Sequence, residues 1–61
     1  MSERELNKFV RELQSDSVEL YSFVTANTSE DLSDGQMDSL VNELEGDYLS
    51  LRKFVINALE V

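Results

Sequence analysis

The sequence predicts an all-α protein built as an antiparallel helical hairpin, and three observations carry that prediction. Apolar residues recur at alternating steps of four and three along two long stretches, and a serine-led capping box opens each stretch. The chain has no proline and only two glycines, Gly35 and Gly46, to interrupt a helix.

The first helix is expected over about residues 3–26. Ser2 is its N-cap, with Glu5 three residues on to complete a Ser-x-x-Glu box. Its seam runs through Leu6, Val10, Leu13, Ser17, Leu20 and Val24, widened by Phe9 and Phe23. Ser17 interrupts the seam, and Ser15, Asp16 and Ser17 followed by Glu19 also resemble a second N-cap. A break near residue 15 is therefore an open alternative. Residues 27–33 are polar and of a length typical for joining two antiparallel helices.

The second helix is expected over 34–60. Ser33 caps it, Gln36 closes its capping box, and Leu32 is placed to staple onto Met37. Met37, Val41, Leu44, Tyr48, Leu51, Val55 and Ala58 form its seam, which passes Gly46 without losing register. On this reading Gly46 is a weak point costing about 1 kcal/mol. The alternative is a true break there, with Asp47 capping a further helix.

Two such helices leave each seam half covered, which predicts a homodimer packed as an antiparallel four-helix bundle. In length, hairpin layout and acidic balance the chain is similar to the small dimeric repressor-of-primer bundles. That resemblance of topology implies RNA binding as an alternative function, with Arg4, Lys8 and Arg11 on one face of the first helix as the residues to carry it.

Composition narrows the function further. Sixty-one residues make a single domain, 1–61, and the absence of cysteine and histidine removes disulfides, thiol chemistry and the usual zinc and iron–sulfur ligand sets. No metal or cofactor is expected. Carboxylates alone can act as acid and base, but a thin bundle leaves little room for a concave site, so no enzyme is expected either. The polar run Ser2, Glu3, Arg4 and Glu5 has no signal-peptide character, and no apolar stretch approaches a membrane span, which predicts a soluble cytoplasmic protein. A net charge of −8 argues against nucleic acid as a ligand and favours a basic protein partner.

The acidic excess lies at the turn and the first half of the second helix. Asp34, Asp38 and Glu45 share one flank of that helix, and Glu43 with Asp47 share the other. These five residues are the expected partner-binding set, acting by docking on a basic surface as small phage-type inhibitors of nucleic-acid-binding proteins do. Leu49, Phe54 and Ile56 lie off the seam and form a secondary apolar contact set. The plainer readings are a solvated acidic helix face, apolar residues buried between protomers, and a purely structural oligomerisation module. Two short matches fail on context. Asp38-Ser39-Leu40 matches the phosphopantetheine site of acyl carrier proteins, but Ser39 lies inside a helix already started at Ser33. An EF-hand loop aligned on Gly35 puts Leu32 and Val41 where carboxylates are required.

Overall fold

The computed structural model describes residues 2–28 and 31–60, and among them the chain is all-helical with no strand. The helices are α1 (Glu3–Ser15), α2 (Ser17–Asn27), α3 (Asp34–Gly46) and α4 (Tyr48–Leu59). The all-α expectation is met. The expectation of two unbroken helices, 3–26 and 34–60, is corrected, because each stretch breaks at a single aspartate.

Both breaks have the same cause. Asp16 takes extended backbone angles, φ −122° and ψ 100°, and Asp47 takes φ −132° and ψ 101°. The Asp16 N–H finishes α1 by donating to the carbonyls of Glu12 and Leu13 at 3.2 and 3.3 Å. Its Oδ1 then starts α2 by accepting from the N–H groups of Val18 and Glu19, at 3.1 and 3.2 Å. At the second break Asp47 donates to the Leu44 carbonyl at 3.4 Å and accepts from Leu49 and Ser50 at 3.1 and 3.3 Å. A short carboxylate offers nearby N–H groups an acceptor that competes with the helical carbonyl, so the bend leaves few backbone groups unsatisfied.

The outer helix starts follow the sequence closely. At Ser33 the box is complete: Gln36 N–H donates to Ser33 Oγ at 3.2 Å, and Ser33 N–H donates to Gln36 Oε1 at 3.0 Å. Leu32 packs against the core cluster that contains Met37. At Ser2 only half the box forms. Ser2 Oγ accepts from the Glu5 N–H, but the Glu5 carboxylate accepts a hydrogen bond from the Ser2 hydroxyl and not from the Ser2 backbone N–H. Two carbonyls at the end of α2, those of Phe23 and Val24, are capped by Asn27 Nδ2 at 2.9 Å and Thr28 Oγ1 at 2.6 Å. Of the polar connection that follows, Ser29 and Glu30 lie outside the described residues.

In space α1 packs along α4 and α2 along α3, while each helix also meets its chain neighbour across an aspartate. Nine seam residues form the core: Val10, Leu13, Leu20, Val24, Met37, Val41, Leu44, Leu51 and Val55. Ser17, the seam's polar member, is exposed. Phe9, Phe23 and Phe54 line the core edge as an edge-to-face chain, with ring centroids 5.5 and 6.1 Å apart. Val10, Leu20, Val24, Leu51 and Val55 have no exposed surface within one chain. The bends thus cover the seams that two straight helices leave half open.

The four helices are two copies of one unit. Shifting the sequence by 31 residues lays α1 on α3, Asp16 on Asp47 and α2 on α4. Eight pairs are then identical: Ser2 with Ser33, Val10 with Val41, Glu12 with Glu43, Leu13 with Leu44, Asp16 with Asp47, Leu20 with Leu51, Phe23 with Phe54, and Val24 with Val55. All but the glutamate pair are caps, bends or apolar residues of the core and its edge. The packing has the same symmetry, since α1 on α4 maps onto α3 on α2. Even exposure repeats, with Val18 at 76% and its counterpart Leu49 at 74%.

Two substitutions test this packing. Leu51→Ala should lower unfolding free energy by about 2–5 kcal/mol, because a fully buried isopropyl group is lost. Gly46→Ala should raise it by about 0.5–1 kcal/mol, since the position is helical and a Cβ there meets nothing within 4 Å. Urea unfolding of both variants checks the pair, and a destabilised Gly46→Ala would contradict the described helix end.

Candidate protein-docking face

Folding sorts the charges by helix pair. All five basic residues lie on α1 and α4: Arg4, Lys8 and Arg11 on the first, Arg52 and Lys53 on the second. Those helices also hold three acids, Glu3, Glu5 and Glu12. In contrast α2 and α3 hold Glu19, Asp34, Asp38, Glu43 and Glu45 with no base at all. Because α2 packs on α3, a helix pair without a base carries these acids, four of them on α3, while Glu19 at the start of α2 lines a groove with Lys8 and Arg11.

The expected site residues separate into two groups. Asp34, Asp38 and Glu43 are exposed, and among the described residues none of their side chains makes a hydrogen bond or ion pair. Glu45 and Asp47 are tied into the fold. Glu45 Oε2 accepts from Ser17 Oγ at 3.3 Å and its carbonyl accepts from Gln14 Nε2 at 3.0 Å, so this residue locks the two bends side by side. Asp47 caps α4. Of the apolar set, Leu49 is exposed, Ile56 is half-buried, and Phe54 packs edge-to-face on Phe23 against the core.

The fold also alters the titration of the Asp47 carboxyl. Its pKa is lowered, first by the Ser50 backbone N–H, then by the Ser50 hydroxyl donating to Oδ2 at 3.0 Å, with the Leu49 N–H adding to both and desolvation opposing them. Ser50 stands where the first unit has Glu19, so the third donor is particular to the second bend.

On α1 and α4, Arg52 and Arg11 are engaged within the fold. Asn7 Oδ1 accepts from the Tyr48 hydroxyl and from Arg52 Nε, both at 3.1 Å, and Arg52 Nη2 lies 3.6 Å from Glu3 Oε1. Arg11 sits over the Tyr48 ring, 5.7 Å from its centroid. A shallow groove along α1 and the first bend is lined by Lys8 and Arg11 together with Glu12, Ser15, Asp16 and Glu19. Its mixed charges give no continuous positive surface for phosphates, and Arg11 is already engaged.

Three exposed large hydrophobic residues escaped the sequence reading, Val18 and Tyr21 on α2, at 76% and 38% exposure, and Leu59 at the end of α4. The signal that finds the first two is the 31-residue repeat: Val18 answers to Leu49, and Tyr21 occupies the position of Arg52. No group of three or more potential metal-ligating residues occurs among the described residues, and no helix there is long and apolar enough to cross a membrane.

Fold and face together define a small all-α protein of four helices with one purely acidic helix pair. The chain matches no protein-family model, no curated protein and no solved structure.

The cap at Asp47 has a pH signature. Its lowered pKa means that its stabilisation is complete above the ordinary carboxylate range and is lost as pH falls through the lowered value. Asp47→Asn keeps a capping oxygen and removes the charge. Its melting temperature should fall below wild type at neutral pH, and the gap should close as pH drops below the ordinary carboxylate range. A gap that stays constant through that drop would exclude the role of the charge.

Proposed function

We propose that this chain is a non-enzymatic, cytoplasmic binding protein whose α2–α3 face docks on a basic protein surface, taking the place that nucleic-acid phosphates occupy there. We read the helices as an antiparallel helical hairpin bent at Asp16 and Asp47. The observation that carries the proposal is the charge sorting: α2 and α3 present five acids without a base, while every base lies on the other pair. Asp34, Asp38 and Glu43 make the contact, because they are exposed and uncommitted among the described residues. Glu45 and Asp47 fix the end of α3 at the bend, through Gln14 and Ser17 and through the cap of α4.

Charge reversal tests this directly. Asp34→Lys with Asp38→Lys should abolish capture of basic partners from the native host while leaving helicity intact, and wild-type binding should weaken steeply with added salt. Binding that is unchanged at low and high salt, or by the reversal, would remove docking and leave only a structural module.

Self-association belongs to a different surface from the seams. One chain already buries its core, so a homodimer has Val18 and Leu49, with Leu59 at 48% exposure, as its available apolar contacts. Sedimentation should then show a dimer that Val18→Asp with Leu49→Asp converts to monomer. A wild-type monomer at all concentrations would strike the homodimer from the proposal.

A further inference from the structure

The two grooves between paired helices are equivalent by the 31-residue repeat, and one of them already holds a guanidinium. In the α1–α4 groove Arg52 reaches from α4 to Asn7 and Glu3 on α1, donating to Asn7 at 3.1 Å and lying 3.6 Å from the Glu3 carboxylate. The side chain is 30% exposed, so the cation is held in a half-dry position. Adding 31 to the two receiving positions gives Asp34 and Asp38 on α3. A neutral acceptor has become a second carboxylate. The position that supplies the cation, Arg52, corresponds on α2 to Tyr21. The α2–α3 groove therefore keeps the receiving residues, with more negative charge, and lacks the cation they would receive.

Nothing else in the described chain fills that role. All five bases lie on α1 and α4, and neither carboxylate nor the Tyr21 hydroxyl has a hydrogen-bond partner among the described residues. Asp34 and Asp38 stand one helical turn apart, a spacing at which two side chains converge on one ligand. The planar guanidinium fork suits two carboxylates and also stacks on an aromatic face, whereas an ammonium is a point charge with neither property. We propose that the α2–α3 groove receives an arginine side chain of a basic protein partner, its guanidinium shared by Asp34 and Asp38 and lying on the Tyr21 ring. This rests on the acidic docking face proposed above and names the partner residue that it selects.

The test uses the full chain titrated with nine-residue peptides of arginine or of lysine at low salt, followed by amide chemical shifts. Shifts should centre on Tyr21, Asp34 and Asp38, with arginine bound about two- to fivefold tighter than lysine. Tyr21→Ala should erase that preference while both peptides still bind. Tyr21→Arg should fill the groove from within, as Arg52 fills its counterpart, and weaken both peptides. Equal affinities for the two peptides in wild type, or a preference that survives Tyr21→Ala, overturn the arginine groove and leave the acidic face standing. Failure of both peptides to bind overturns the face as well.

Discussion

Two aspartates, one at the middle of each helical stretch, set everything else. Without them the sequence describes two straight helices of roughly 36 and 40 Å, which can bury only one narrow stripe each. Asp16 and Asp47 exchange one helical hydrogen-bond pattern for capping bonds of similar number, so each bend costs little, and the two bends meet through Gln14, Ser17 and Glu45. The longest extent falls to 34 Å and the radius of gyration to 11.0 Å, near the roughly 10.5 Å of a compact chain of this length. Four short helices then enclose residues that two long ones would leave exposed, which is how so small a chain without disulfides completes a core.

Repetition explains why the core closes and divergence explains why the surface does not repeat. Identity between the two units falls almost wholly on caps, bends and apolar packing, the positions that a shared architecture constrains. The bases show the opposite pattern. Arg4, Lys8 and Arg11 correspond to Gly35, Ser39 and Asn42, while Arg52 and Lys53 correspond to Tyr21 and Ser22. Every base faces a neutral counterpart, so five surface positions are enough to turn a symmetric scaffold into one with an acidic side.

Much of this was legible in the residues. The 3.5-residue seam names all nine core residues, and both serine caps stand where their spacing puts them, because local hydrogen bonding and burial act on near neighbours. The bends were legible only as alternatives. Leu13 to Leu20 and Leu44 to Leu51 are each seven apart, so the ladder stays in phase across a break and gives no sign of it. Asp16 and Asp47 announce themselves only by their capping chemistry. Phe54 lay off the seam of α4 and looked surplus, yet its place is against Phe23, a contact between units that helical periodicity does not encode. The decisive clue was the repeat, which a reading of each helix by itself passes over.

The balance of charge across the molecule decides how the acidic side behaves. Taken as a whole the chain is merely acidic, and one expects the bases of α1 and α4 to offset their neighbours. Distance prevents that. The molecule is 17 Å through at its thinnest and 24 Å across its middle extent, while exposed charges in physiological salt are screened over about 8 Å. A carboxylate and a base placed across that thickness are thus about two screening lengths apart, whereas Glu19 shares a groove with Lys8 and Arg11. The surface of α3 carries a local excess of acids, while on α1 and α4 Arg52 is shared with Glu3 and Asn7 and Arg11 lies over the Tyr48 ring. On the proposed docking, a basic surface is drawn to the exposed acids of α3, and its orientation follows from the same five divergent positions.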